Sequence, residues 1–240
     1  MSKLVHSYSS IKMFFLCPQK YYRLRVKKDV VDPGSTASRY GERIHKVLED
    51  FVSDASSLDS VNEADKTVVR HATQLIFALR NLGYSVLPEL QVALTRKLEP
   101  CNWFDENVWL RSKLDLVCIK DNKIITLDWK TGNPKNHTIK ALDQLGIAAL
   151  QLFRHYPETE QIAAQLVYIP EVIAGPENPR QFFYPVDQLK LIADVFNDVI
   201  RIEEAETNDV WNAKPGSHCN WCPCKMTCPS AQWQAHQKGG

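Results

Sequence analysis

Residues 111–131 most strongly constrain how this chain can fold, because they predict two antiparallel β-strands joined by a tight turn. Both arms are rich in Leu, Ile and Val. Asp121-Asn122 between them is a turn pair of the type that tolerates positive φ. Apolar residues occupy both faces of the predicted hairpin, as in a strand pair at the centre of a sheet.

The loop length predicts the register of this hairpin. If the loop has two residues, Lys120 faces Lys123, and Asp115 then faces Asp128 with Cβ atoms about 4.5–5.5 Å apart. Lys130 projects from the same face as Asp128, because alternate strand residues share a face. Facing carboxylates repel and are costly to desolvate, so the pattern indicates a divalent cation such as Mg²⁺ or Mn²⁺. The alternative is a surface hairpin with an incidental acidic pair.

Composition places the chain among ordinary globular proteins. It has 240 residues, 44% of them hydrophobic and 24% charged, which is enough for one domain with a sizeable core and a small appendage. No apolar run approaches the ~20 residues of a membrane span, and the N-terminus lacks a signal-peptide core. We therefore expect a cytoplasmic protein with no membrane partner.

Basic residues are concentrated in one segment near the N-terminus. Because the net charge is only +1, a nucleic-acid surface would require local segregation of charge. Two tyrosines lie among basic residues there, which makes this block a candidate DNA contact: Tyr21, Tyr22, Arg23, Arg25 and Lys27. A solvated basic helix end is the equally simple alternative.

Helices and strands are predicted around the hairpin. The periodicity of apolar residues predicts helices at about 36–51, 62–82, 138–156 and 188–204, the last with a stripe that includes Leu189. It predicts strands at 85–95, 162–169 and 181–185. His45 lies in the first of these helices, one turn after Gly41, and Glu89 lies near the start of the first strand as a weak candidate site residue.

The cysteines predict a metal site. Four of the seven lie within ten residues, at Cys219, Cys222, Cys224 and Cys228. An odd number of cysteines in a cytosolic protein argues against a disulfide framework, whereas thiolates two residues apart can bind one metal or one cluster. The spacing alone does not separate zinc from iron-sulfur. The other thiols, at Cys101 and Cys118, fit small buried residues.

Asp115, followed by Asp128-Trp129-Lys130, resembles the Asp and Asp-x-Lys motif of the PD-(D/E)XK nuclease superfamily. Gly41-Glu42-Arg43-Ile44-His45 is similar to the Gly-x-x-x-His element of its RecB-like branch. The resemblance implies an α/β restriction-endonuclease-like core with a central mixed sheet flanked by helices. It also implies that His45, Asp115, Asp128 and the backbone carbonyl of Trp129 hold Mg²⁺ or Mn²⁺, and that Lys130 is catalytic.

One further element of the branch is matched in part. Gln144 corresponds to the glutamine of the Gln-x-x-x-Tyr element, which implies a catalytic role near the DNA. The tyrosine position holds Ala148 instead. This departure puts the strand-positioning contact in doubt.

The ends of the chain resemble RecB-like nucleases that carry an iron-sulfur cluster, such as the CRISPR-adaptation exonucleases and the AddB-type nuclease domain. Cys17, followed by a proline and by aromatic and basic residues, matches the first cluster cysteine. The resemblance implies a 4Fe-4S cluster on Cys17, Cys219, Cys222 and Cys228, with zinc as the alternative. Cys224 is a spare that could replace Cys222 or Cys228.

These features together predict a metal-dependent deoxyribonuclease that acts as an exonuclease on single-stranded DNA or DNA ends. The expected domains are an N-terminal helical segment (1–35), the nuclease core (36–205) and a cysteine segment (206–240). One alternative is a catalytically weak DNA-end binding adaptor with a partner in recombination, replication or CRISPR adaptation. Another is a zinc-stabilised protein-interaction domain.

Overall fold

The computed structural model describes residues 4–132, 141–169 and 180–230, without the side chains of residues 141–143. These residues form two compact units. One consists of residues 35–192 and is called the sheet unit here. The other combines residues 1–34 with residues 193–240 and is called the terminal unit.

A six-stranded sheet is the centre of the sheet unit. Its strand order is β2-β1-β3-β4-β5-β6, and every neighbouring pair is antiparallel except β4 and β5, which are parallel. The mixed sheet flanked by helices confirms the predicted fold class. The strands are β1 (Ser85–Thr95), β2 (Pro100–Cys101), β3 (Val108–Lys120), β4 (Lys123–Lys130), β5 (Gln161–Tyr168) and β6 (Arg180–Phe183).

The central hairpin has the predicted register. Lys120 pairs with Lys123 across the two-residue turn, and the ladder continues in step to Leu116 and Leu127. Asp121 adopts a φ of 51°, the left-handed conformation that Asp and Asn tolerate better than most residues. The next pair in this register would be Asp115 and Asp128, where the regular ladder ends.

Helices α3 (Thr36–Ser53) and α4 (Glu63–Asn81) flank the sheet with capped ends. The side chain of Asn62 accepts a hydrogen bond from the backbone of Asp65 at the start of α4. At its end, Gly83 adopts a φ of 85°, and the N–H of Tyr84 donates to the carbonyl of Leu79. This is a Schellman ending, so the predicted stop at Gly83 is confirmed.

The helices bury one face of the sheet. Apolar residues of α3 and α4 pack with residues of β3, β4 and β5 in one cluster, which includes Ile44, Leu48, Phe51, Val69, Ile76, Leu116, Cys118, Leu127, Trp129 and Val167. Cys118 is fully buried, and burial raises its pKa to about 12. Its side chain therefore acts as a small apolar group, as the sequence predicts.

Helix α5 (Ala141–His155) connects the parallel strands β4 and β5 and packs on β1, β2, β5 and β6. Its residue Gln151 is fully buried and donates to the carbonyls of Val92 and Leu110 at 3.4 Å. The amide thus links the helix to β1 and β3. The segment of residues 133–140, where the helix start at His137-Thr138 is expected, lies outside the described residues.

The terminal unit joins the two ends of the chain. It contains α1 (Tyr8–Leu16), α2 (Pro18–Tyr21), a π-helical turn at Tyr22–Val26 and the part of α6 (Gln188–Asn208) that follows residue 192. The ring of Trp211 stacks on Tyr21 and Tyr22, with centroids 6.0 and 5.3 Å apart, and contacts Phe14 edge-on at 6.4 Å. Aromatic packing therefore holds together residues that are almost two hundred positions apart in the sequence.

The prediction for Leu189 is wrong. Its side chain is 80% exposed, whereas the buried side of α6 is formed by Leu191, Val195, Val199 and Ile202. The stripe begins two residues later, because Leu189 lies in the first turn on the outer side of the helix. No helix of the described residues has both the length and the apolar character that a membrane crossing requires.

Leu116→Ala tests the core position of β3. Its side chain is 0% exposed, so we expect the free energy of unfolding to fall by about 2–5 kcal/mol through lost burial and a residual cavity. Chemical denaturation of the two proteins measures this difference. Leu189→Ala is the matched control, and an equal loss there would contradict the assignment of Leu116 to the core.

Candidate functional site

The site forms where backbone pairing around β3 is interrupted. Asp115 would pair with Asp128 on one side and with Glu89 on the other, but neither pair belongs to the regular ladders. The backbone N–H of Trp129 instead donates to the carboxylate of Asp115 at 2.8 Å. At the point where the hairpin ladder ends, the side chain of Asp115 thus accepts a hydrogen bond from the backbone of Trp129.

Glu89 has an uncommon backbone conformation for its residue type. Its φ is +50°, although the neighbouring pairs Pro88 with Leu116 and Leu90 with Leu114 keep the same register. A non-glycine residue in this region costs about 1–3 kcal/mol and persists only where the surrounding structure holds it. Here the ladder on both sides holds it, and the Glu89 carboxylate lies beside Asp115.

Helix α3 brings His45 to these carboxylates. Its Nδ1 lies 3.4 Å from Oδ1 of Asp115. One turn earlier, a Cβ on Gly41 would lie 3.1 Å from Oγ1 of Thr131, just after β4. The missing side chain at Gly41 therefore leaves room for the close approach of α3 to the end of the hairpin.

Three side chains can bind one cation. One ligand atom each of His45, Glu89 and Asp115 lies within 4.8 Å of the others, and none of these residues is more than partly exposed. Two carboxylates and an imidazole suit a small divalent metal ion. Glu89, a weak candidate from the sequence, thus joins two of the predicted ligands.

A second group of polar side chains surrounds Asp128. Lys130 Nζ lies 2.6 Å from Oδ2 of Asp128 and donates to Oε1 of Gln144 at 3.1 Å. Gln144, from α5, donates its amide hydrogen to the other carboxylate oxygen of Asp128. The three side chains therefore form a closed set in which each orients the others.

The protonation equilibria show what charge this site favours. Burial and then the negative charge of Asp115 raise the pKa of Asp128 to about 6, although Lys130 and His45 act in the opposite direction. Burial lowers the pKa of His45, but its contact with Asp115, the charge of Asp128 and the backbone of Trp129 outweigh that effect and raise it. Both shifts favour added positive charge, which a divalent cation also supplies.

Lys113 is a site residue that the sequence did not indicate. Its ammonium group contacts Oε2 of Glu89, and this contact raises the pKa of Lys113. The pair depends on the alignment of β1 with β3, which no local pattern reveals. Lys113 lies two residues before Asp115, on the same face of β3.

A second candidate site lies within the terminal unit. Five cysteines line one cavity there, namely Cys17, Cys219, Cys222, Cys224 and Cys228. Backbone N–H groups point at two of the sulfurs, from Lys214 to Cys17 at 3.4 Å and from Gly216 to Cys219 at 3.5 Å. The structure thus brings the N-terminal cysteine to the C-terminal series, and all five thiols are free.

The basic block divides into buried, paired and exposed residues. Tyr21 is 1% exposed, and burial raises its pKa to about 12, so its ring lies in the core and is not accessible for the predicted DNA contact. Asp29 binds Arg23 at 2.6 Å and Lys27 at 2.9 Å. Tyr22 stacks on Trp211, whereas Arg25 is exposed.

Comparison with known proteins identifies the family. The model of the PD-(D/E)XK nuclease superfamily matches residues 6–229. The chain therefore belongs to the PD-(D/E)XK nuclease superfamily. No curated protein matches the sequence.

Two solved structures are similar over nearly the whole chain. A protein from Eubacterium rectale, provisionally described as an exonuclease, is 13% identical with a TM-score of 0.50, over 96% of this chain and 88% of that one. The structure of SSO0001 is 12% identical with a TM-score of 0.40, over 96% and 89% of the two chains. At 13% identity, the similarity to the Eubacterium rectale protein concerns the fold alone.

Glu89→Gln tests the cation site. The change removes one anionic ligand while keeping the side-chain size, so we expect Mn²⁺ affinity to fall at least about tenfold. Isothermal titration with Mn²⁺ measures it. Glu99→Gln, at an exposed position, is the matched control. Equal affinities for the two variants would remove Glu89 from the ligand set.

Proposed function

We propose that this protein is a metal-dependent deoxyribonuclease of the RecB-like branch, acting as an exonuclease on single-stranded DNA or DNA ends. The observation that supports this proposal is the adjacency of two side-chain groups. One is the set of potential cation ligands around Asp115, and the other is the set formed by Asp128, Lys130 and Gln144. Together they offer a site for a cation and an oriented ammonium group for a phosphodiester.

The residues fit a Mg²⁺ or Mn²⁺ ion. His45, Glu89 and Asp115 would hold it, with Asp128 and the backbone carbonyl of Trp129 as the remaining ligands that the family resemblance implies. Asp115 is already oriented by the N–H of Trp129, and burial and the negative charge of Asp115 raise the pKa of Asp128. When bound, such an ion supplies Lewis acidity and lowers the pKa of a coordinated water.

Lys130 is placed to act on the phosphate group. Its ammonium is fixed by Asp128 on one side and Gln144 on the other, so it loses little freedom when it contacts substrate. A positive group held in this way can orient the attacking water and stabilise the extra negative charge of the transition state. Gln144 positions both Lys130 and Asp128, because it accepts from one and donates to the other.

The substitution at position 148 distinguishes this chain from the RecB-like pattern. Ala148 is 5% exposed and lies one turn after Gln144 on α5. An alanine there offers no hydroxyl or aromatic ring to a DNA strand. Contacts that position the strand must therefore come from other residues. Arg25 is one candidate for such a contact, since its side chain is exposed in the basic block.

We further propose that the terminal unit holds a 4Fe-4S cluster on Cys17, Cys219, Cys222 and Cys228. The common cavity and the N–H groups directed at two sulfurs support this assignment, because such bonds stabilise thiolate ligands. The cluster would act as a structural link between the chain ends. Cys224, 2% exposed in the same cavity, could replace Cys222 or Cys228, and zinc is the alternative metal.

The nuclease proposal is tested with end-labelled single-stranded DNA and Mn²⁺ or Mg²⁺. We expect the wild-type protein to shorten the DNA progressively, and Asp128→Asn and Lys130→Met each to reduce the rate at least about 100-fold through lost electrostatic stabilisation. Lys123→Met, at the exposed start of β4, should retain the wild-type rate. Gel analysis of products labelled at either end measures the rate and the polarity.

An inactive wild-type protein that still binds DNA ends would favour the adaptor function instead. Its partners would then belong to recombination, replication or CRISPR adaptation. Activity that survives in Asp128→Asn would contradict the assignment of the catalytic residues. A cytoplasmic location accords with either function.

The cluster proposal is tested by metal content. We expect about four irons and four sulfides per chain after anaerobic purification, and their loss in Cys17→Ser and Cys219→Ser, because each removes a ligand. Cys101→Ser, outside the cavity, is the matched control and should keep full iron content. Stoichiometric zinc in place of iron would establish the alternative metal.

A further inference from the structure

Lys113 has no role in the function proposed above, although it lies at the edge of the cation site. It is located on β3 opposite Gln91 of β1, two residues before Asp115. Its ammonium group contacts the carboxylate of Glu89. The contact partner is itself one of the three grouped cation ligands.

The two halves of this ion pair differ in exposure. The Glu89 side chain is 14% exposed, whereas that of Lys113 is 49% exposed. The carboxylate therefore faces the interior of the site, while the lysine reaches it from the solvent side. Lys130, by contrast, is only 23% exposed and is bonded to both Asp128 and Gln144.

A cation at the carboxylates would change the surroundings of Lys113. The metal and the ammonium group compete for the same carboxylate, and their positive charges repel each other. A lysine has a flexible stem and a compact charge, so it can move from Glu89 toward solvent without disturbing β3. DNA reaches the site from solvent, where the half-exposed Lys113 lies, and its phosphates need positive partners beside the carboxylates.

We propose that Lys113 is a substrate-positioning residue that pairs with Glu89 in the metal-free protein and contacts a DNA phosphate once the cation site is filled. The proposal rests on the nuclease function above. It differs from the role of Lys130, which acts at the reacting phosphate. Lys113 would contact a neighbouring phosphate. It would therefore contribute to DNA affinity rather than to the rate of the chemical step.

The test compares Lys113→Met with Lys66→Met in a Lys130→Met background, which slows cleavage and keeps every proposed cation ligand. Lys66 forms a similar ion pair, with Glu63 at 2.9 Å, on α4 and outside the site. Binding of a fluorescent single-stranded oligonucleotide is measured by anisotropy at several salt concentrations, with Mn²⁺ and with EDTA. Mn²⁺ affinity of the same proteins is measured by titration calorimetry.

We expect Lys113→Met to weaken DNA binding about 3- to 10-fold with Mn²⁺ and to have little effect in EDTA. The slope of log affinity against log salt should become shallower by about 0.7, the value for one lost phosphate contact on a single strand. Lys113→Arg should restore both quantities, and Mn²⁺ affinity should be unchanged or higher in Lys113→Met. Lys66→Met should match its parent throughout.

Three results would overturn the proposal, and they are distinguishable. Equal DNA affinities of the Lys113→Met and Lys66→Met proteins, in a parent that binds DNA, would remove Lys113 from substrate binding and leave the nuclease function intact. So would weaker Mn²⁺ binding in Lys113→Met, since it would assign the lysine to the structure of the metal site. Absence of DNA binding by the parent together with an inactive wild-type protein would overturn both proposals.

Discussion

The concentration of negative charge around Asp115 is the constraint on which the site depends. Asp115 and Asp128 lie on neighbouring strands and Glu89 lies on the third, so three carboxylates approach one another in a mostly buried region. Such a group is stable only if positive or hydrogen-bonding partners surround it. The N–H of Trp129, the imidazole of His45 and two lysines fill that role.

Helices α3 and α5 and strand β1 bring side chains to this group of carboxylates. Gly41 allows α3 to approach the end of β4, which brings His45 to Asp115. Helix α5 follows β4 and returns Gln144 to Asp128. The φ of +50° at Glu89 lies between regular ladder pairs on either side, so the strand bears local strain at the position where its carboxylate meets the site.

The terminal unit depends on a different kind of interaction. Trp211 stacks on Tyr21 and Tyr22, and Arg23 donates to the hydroxyl of Thr227 at 3.1 Å. These contacts close a very long loop, whose entropic cost grows only slowly with length. The cysteine cavity lies between the same two chain ends, so a metal bound there would add to an association that apolar packing already maintains.

Local patterns in the sequence predicted the hairpin register and the end of α4 at Gly83, and the family resemblance predicted several of the side chains that the structure brings together. A two-residue turn at Asp121-Asn122 and alternating apolar residues suffice to place Asp115 opposite Asp128, because strand pairing has a period of two. Family motifs identified His45, Lys130 and Gln144, but no motif identified Lys113.

Only the tertiary structure decided which residues join that site and which do not. The pairing of β1 with β3 placed Glu89 beside Asp115 and Lys113 beside Glu89, and strand pairing between distant segments leaves no local signal. The packing of Trp211 buried Tyr21, which the sequence had marked as a DNA contact. An aromatic side chain can pack in a hydrophobic core or stack on a bound ligand, so its role depends on the residues that surround it in the folded protein.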